Sequence, residues 1–143
     1  MAKVKEINLH VVPMYGQVQF FGDGDEYPEW GDEGVAVSSA AATFLGMPDV
    51  ETCSVSLHIY DEYEEVADVF YESMIAIGMN GLEVAYVEAS SEPGSEGIMG
   101  TCYSLPWREE GALKFVAPDG FVEAAPGFPV PRSVSVHVMP SDA

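Results

Sequence analysis

Three histidines, two cysteines and many carboxylates are the side chains of this sequence that could do chemistry. His10, His58 and His137 each take an outward position on a strand-like run. If their strands are neighbours, the three imidazoles could converge and hold a metal ion. Imidazoles on the polar face of a sheet are more often merely solvated, so a metal site is an alternative and not the main prediction.

The sequence shows no motif for covalent or acid-base catalysis. A Ser or Cys nucleophile needs a base within hydrogen-bond reach, and the sequence has neither a nucleophile elbow nor a Cys-His signature. Cys53 and Cys102 define no disulfide framework and no zinc-site spacing. A glycosidase would need two particular carboxylates, and nothing distinguishes a pair among the 24 acidic residues. We therefore predict a protein that is not an enzyme and needs no cofactor.

The run Asp23-Gly24-Asp25 begins like a calcium loop. The helix-flanked calcium loop then requires another ligand, a glycine and a twelfth-position Glu, where this sequence has Tyr27, Pro28 and Gly34. That loop type is excluded, but an irregular calcium site is not. A metal-binding or calcium-binding module is thus the alternative function.

The stretch from 23 to 33 predicts a surface for binding another protein. Its glycines and proline break helix and strand, while Tyr and Trp anchor interfaces and the surrounding charges set the encounter rate. The alternative interpretation of Trp30 is that its indole folds back and caps the core. The predicted partner-binding residues here are Asp23, Asp25, Glu26, Tyr27, Glu29, Trp30, Asp32 and Glu33.

A second acidic cluster, between 61 and 68, predicts either a short helix or a charged connection. We assign its carboxylates to the same partner-binding surface. They are Asp61, Glu62, Glu64 and Glu65.

The charge distribution indicates a basic partner. The 143 residues carry a net charge of −19, and from Glu6 to Trp107 there are nineteen acidic residues and no Lys or Arg. A surface of one sign attracts a cationic protein and repels phosphate backbones, so we expect neither nucleic acid nor anionic membrane as a direct ligand. High solubility, or an acidic and salt-rich habitat, is the alternative reading of the same charge.

Alternating apolar residues predict an all-β protein. The clearest alternation runs from Thr52 to Tyr60 and from Ser133 to Met139, and Asn80-Gly81 predicts a tight hairpin. About seven to nine short strands at this spacing favour an antiparallel β-sandwich or a partly closed barrel with long acidic and Pro/Gly-rich loops. We expect one domain, 1–143, with 118–131 as a long loop. The first residues lack the apolar stretch of a signal peptide, so we expect a cytoplasmic location.

Several of these segments resemble the competence protein J family. They are Tyr15 to Phe20, Pro28-Glu-Trp30-Gly-Asp32-Glu33 leading into Val35-Ala36, and Ala67-Asp-Val69 followed by Ile75-Ala-Ile77 and Leu82-Glu-Val84. The resemblance covers residues 15–88. It implies a β-sandwich that inhibits a nuclease by binding to it. A non-catalytic inhibitor or immunity protein for a cationic nuclease or toxin is therefore the main prediction, and a structural component of a phage or secretion assembly is a further alternative.

Overall fold

The computed structural model describes residues 3–13, 16–29, 35–48, 52–88 and 98–142. Within those ranges the chain forms twelve strands and no helix, and so no helix that could cross a bilayer. The strands are β1 (Lys3–Val12), β2 (Gln17–Phe21), β3 (Ala36–Ser38), β4 (Ala42–Gly46), β5 (Cys53–Tyr60), β6 (Val69–Ile77), β7 (Leu82–Glu88), β8 (Ile98–Tyr103), β9 (Glu109–Val116), β10 (Phe121–Ala125), β11 (Phe128–Pro131) and β12 (Val134–Pro140). The all-β prediction is confirmed, although the predicted count of about seven to nine strands was too low.

Ten of the strands form one folded sheet. Their order is β3-β4-β2-β7-β1-β5-β12-β9-β6, with β8 beside β7. The sheet folds over between β7 and β1, which share only the pairs Val11 with Glu88 and Val12 with Val87. One layer then contains β8, β7, β2, β4 and β3, and the other contains β1, β5, β12, β9 and β6. The predicted sandwich is confirmed, with one parallel pair, β5 and β12, among its antiparallel neighbours.

The core lies between these two layers and follows the alternation of the sequence. Val55 and Leu57 of β5 point inward and are fully buried. Phe20 of β2 meets Phe115 of β9 across the layers, with ring centroids 5.5 Å apart. Each such side chain contributes about 1.5–3 kcal/mol through burial, and this packing fixes the strand ends from which the acidic loops depart.

Two connections differ from the sequence predictions. The tight turn at 78–81 forms, with Gly81 at a φ of 79°, but β6 and β7 then pair with different neighbours in different layers. The predicted hairpin is therefore a crossing between layers. Within 118–131, β10 and β11 form a two-stranded hairpin of their own. Prolines usually weaken strand pairing, which is why the sequence favoured a loop there.

Candidate protein-binding surface

The strand register places the start of both acidic segments at one end of the sandwich. β12 is parallel to β5, β9 is antiparallel to β12, and β6 is antiparallel to β9. The end of β6 therefore lies beside the start of β9, with Ile77 opposite Glu109. The backbone nitrogen of Asp23, just after β2, donates a hydrogen bond of 2.7 Å to the carbonyl of Ala76. The chain thus leaves β2, β5 and β6 at the same end, which we call the acidic end.

The first acidic segment, residues 23–29, is attached at its root through the backbone. The nitrogen of Gly22 donates to the carbonyl of Ala41 at 2.8 Å, next to the bond from Asp23. A Cβ on Gly22 would overlap the carbonyl oxygen of Ala76. Glycine is therefore required for β2 to approach β6 this closely.

Tyr27 is the exposed aromatic of the first acidic segment, with 66% of its surface accessible. Its ring centroid lies 5.9 Å from that of Phe21, which lies 5.8 Å from that of Phe44. The segment thus turns from the acidic end onto the outer face of the layer that contains β2. Its four carboxylates are all exposed: Asp23, Asp25, Glu26 and Glu29.

The second acidic segment, residues 61–65, crosses the outer face of the other layer and is attached there by a cation. The Nζ of Lys114 donates to the Tyr63 hydroxyl and to the carbonyl of Glu64, both at 3.0 Å. It also lies 4.2 Å from the centre of the Tyr63 ring and 3.7 Å from a carboxylate oxygen of Glu72. Lys114 is only 3% exposed, whereas Asp61, Glu62 and Glu65 remain exposed.

Further charges lie at the acidic end. The carboxylates Glu109 and Glu110 open β9, and Asp142 follows β12; all three are exposed. The exposed cations Lys3, Lys5 and Arg108 lie at the same end, and Lys3 is bound to Glu6 at 2.9 Å. With the two acidic segments added, carboxylates predominate at this end.

Trp107 closes the core at the acidic end. Its Nε1 donates to the carbonyl of Tyr60 at 2.7 Å, and its ring occupies the space where a Cβ of Gly111 would be. The indole packs against the core between the layers. Sequence reasoning gave Trp107 no role, although its place between two strands and its proximity to a glycine in β9 could have suggested one.

The structure brings together only the starts of the two predicted acidic segments. Both acidic segments begin at the acidic end and then diverge onto opposite outer faces. Three predicted residues, Trp30, Asp32 and Glu33, lie outside the described residues, so their part in the surface stays a prediction. Lys114, which attaches the second segment, was missed because a lysine in an apolar strand is usually read as solvated.

Two of the three histidines meet. His58 and His137 are register partners and their rings stack, with centroids 4.5 Å apart and planes at 11°. His10 lies opposite Ser54, four positions from His58 along β5, so the three imidazoles do not converge. In the part of the chain that the structure describes, no group of three or more His, Cys, Asp or Glu side chains is arranged to hold a metal ion.

The stacked pair is held in its neutral form. Burial, followed by the neighbouring positive charge that His58, Lys3 and Lys114 can carry, lowers the pKa of His137 from 6.5 to about 4. Its Nδ1 lies 2.7 Å from the Tyr60 hydroxyl. Burial also lowers the pKa of His58, whose buried Nδ1 lies 3.3 Å from Glu6 without hydrogen-bond alignment.

Lys114 is held in its charged form. Burial by itself lowers the pKa of a lysine, but the hydrogen bond to Tyr63 and the nearby carboxylates Glu72 and Glu65 raise the pKa of Lys114 above 10.5. A buried ammonium is stable only when its protons are bonded and its charge is balanced. The second acidic segment supplies the hydrogen-bond acceptors, and the carboxylates of Glu72 on β6 and Glu65 in the segment balance the charge.

Comparison with solved structures gives a full-length match. ComJ from Bacillus subtilis, described as the inhibitor of the DNA degrading activity of NucA, aligns with a TM-score of 0.60 and 13% identity, over 98% of this chain and 100% of ComJ. The chain has the fold of ComJ. The resemblance seen in the sequence is thus confirmed for the fold, and it extends beyond residues 15–88 to the C-terminal part, which sequence reasoning could not match.

A second solved structure, described as Crocagin biosynthetic gene J, aligns with a TM-score of 0.49 and 13% identity, over 99% of each chain. Comparisons with protein-family models and with curated proteins give no match.

Proposed function

We propose that this protein is a non-catalytic inhibitor that binds a cationic nuclease or toxin in the cytoplasm and occludes its DNA-binding groove. The observation that carries the proposal is the acidic end: on a sandwich with the fold of a nuclease inhibitor, two acidic segments begin at one end. The described carboxylates of those segments are exposed, except for the half-buried Glu64.

The mechanism is competition with DNA for the nuclease. A protein that grips DNA presents Lys and Arg side chains to the phosphates, and binding strength depends on the counterions that are released. The carboxylates of the acidic end would meet the same cations and exclude the phosphates. Long-range attraction makes association fast and sensitive to salt, whereas contacts such as those of Tyr27 would slow dissociation.

The test is inhibition of DNA degradation. Two nucleases serve as probes: NucA, and the DNA-degrading nuclease purified from the cell that makes this chain. Linear duplex DNA is incubated with each nuclease and increasing amounts of this protein. We expect protection of the DNA from at least one nuclease at equimolar protein, weakening as salt is raised. Degradation of the DNA by both nucleases in the presence of a large excess of this protein would contradict the proposal.

A further inference from the structure

The second acidic segment has an attachment that its own composition does not provide. It has no regular secondary structure, and its carboxylates repel one another because like charges lie close together in sequence. Such a segment would by itself extend into solvent. Its contact with the sheet must therefore be supplied by groups outside the segment.

Lys114 supplies the charged part of that contact. Two of its polar contacts, the Tyr63 hydroxyl and the Glu64 carbonyl, belong to the segment, and the third, Glu72, lies on β6. The segment's remaining described anchor is weaker, since the nitrogen of Glu64 donates to the sulfur of Met139 at 3.3 Å. Without the ammonium, the Tyr63 hydroxyl and the Glu64 carbonyl would have to form hydrogen bonds with water. The segment would then separate from the sheet.

We propose that Lys114 is a positioning residue for nuclease binding: it holds the second acidic segment on the outer face of β9 and β12, so that the carboxylates meet the partner already ordered. This inference rests on the proposed function. A pre-ordered segment loses less conformational entropy on binding, and that gain appears mainly in slower dissociation. The ammonium is covered by the second acidic segment and need not touch the partner.

The test compares Lys114→Met with a matched control, Lys3→Met. Both variants remove one positive charge, but Lys3 is bound to Glu6 and has no contact with the second segment among the described interactions. In hydrogen exchange of the free protein, we expect the segment's exchange, followed at the Glu64 amide that donates to the sulfur of Met139, to be about tenfold faster in Lys114→Met and unchanged in Lys3→Met. The first acidic segment should be unchanged in both variants.

Binding kinetics form the second arm, with whichever of the two nucleases the unaltered protein inhibits. For Lys114→Met we expect dissociation to be about tenfold faster and the association rate to change less than about twofold, because the carboxylates that steer the encounter remain. If the substitution only reduced the amount of folded protein, the fraction able to bind would fall, but the association and dissociation rates of the folded fraction would both be unchanged. If Lys114→Met does not fold, Tyr63→Ala removes the side-chain part of the segment's contact with Lys114, leaves the Glu64 carbonyl in place, and should change exchange and dissociation in the same direction.

The outcomes separate the two proposals. Protection of residues 61–65 that persists in the folded variant would overturn the role of Lys114, and so would a loosened segment with unchanged dissociation. If the unaltered protein inhibits neither nuclease, the proposed function fails, and positioning for nuclease binding fails with it. Hydrogen exchange would still show in that case whether Lys114 attaches the segment.

Discussion

The two acidic segments have similar composition but are attached to the sandwich in different ways. The first, residues 23–29, is fixed at its root by backbone hydrogen bonds that Gly22 makes possible. The second, residues 61–65, is fixed by the side chain of Lys114. Attachment through the backbone depends on close approach of two strands, whereas attachment through a side chain depends on one charge. Different substitutions should therefore detach the two segments from the sandwich.

Gly22→Ala should have the largest effect, and it should affect the first segment. The new methyl group would overlap the carbonyl of Ala76 and crowd Ile75, so β2 and β6 must separate and lose the bonds at the root. Overpacking typically costs about 1–3 kcal/mol of unfolding free energy, and we expect a loss at the top of that range because the overlapping atom belongs to the backbone. Urea denaturation measures this loss.

The matched control for that prediction is Gly120→Ala. At Gly120 a Cβ would meet no atom within 4 Å, and only the positive φ of 77° opposes it, at a cost of about 1–2 kcal/mol. Equal destabilisation by the two variants would show that close approach of β2 and β6 is not what holds the first segment.

Acidification should affect the second segment before the first. The pKa of His137 in the folded protein, about 4, lies below its ordinary value of 6.5. The neutral ring therefore stabilises the fold fully above pH 6.5, and this contribution, on the order of 2 kcal/mol, is lost as the pH falls from 6.5 towards 4. His137 contacts Tyr60, the residue that precedes the second segment, so exchange at residues 61–65 should rise first.

His137→Gln is the variant that checks this pH dependence. Glutamine can still accept a hydrogen bond from Tyr60 but does not titrate, so the unfolding free energy should vary less between pH 7 and pH 4. The charged groups that face the histidine pair, Glu6, Lys3 and Lys114, are unchanged in this variant. An equally steep pH dependence in His137→Gln would assign the acid sensitivity to other groups.

Tyr63→Phe should have the smallest effect. It removes one hydrogen bond of Lys114 but keeps the ring under the ammonium. We expect a loss of about 0.5–1.5 kcal/mol and a modest rise in exchange that is confined to residues 61–65. Unfolding by urea together with hydrogen exchange measures both. A rise in exchange at residues 23–29 as well would mean that the two attachments are coupled.

The sequence predicted the parts of the fold that depend on local pattern. The alternation of Val55, Leu57 and Ile59, and that of Val134, Val136 and Val138, placed the correct side chains in the core, because a period of two leaves one choice of face. The change of layer after Gly78 was not predictable, since a tight turn is compatible with paired and with separated strands. Which strands pair depends on long-range packing that no single segment contains.

The candidate surface was predictable as composition but not as geometry. Both clusters of carboxylates are evident in the sequence, and the resemblance to the competence protein J family indicated the fold. That the clusters begin at one end depends on the register of β5, β12, β9 and β6, which no residue pattern shows. The partners of Lys114 were not predictable for the same reason, because they lie about 40 to 50 positions away in the chain.

The most direct test of the acidic end is the rate at which the nuclease associates with variants that each lose two charges. Two double variants remove charge at the acidic end: Asp23→Asn with Asp25→Asn, and Asp61→Asn with Glu62→Gln. A third double variant removes charge near the opposite end: Asp68→Asn with Glu123→Gln. Stopped-flow association at low salt should slow about threefold to tenfold for each of the first two pairs and stay nearly unchanged for the third. Equal slowing by all three pairs would contradict the account, since the total charge and not the acidic end would then direct binding.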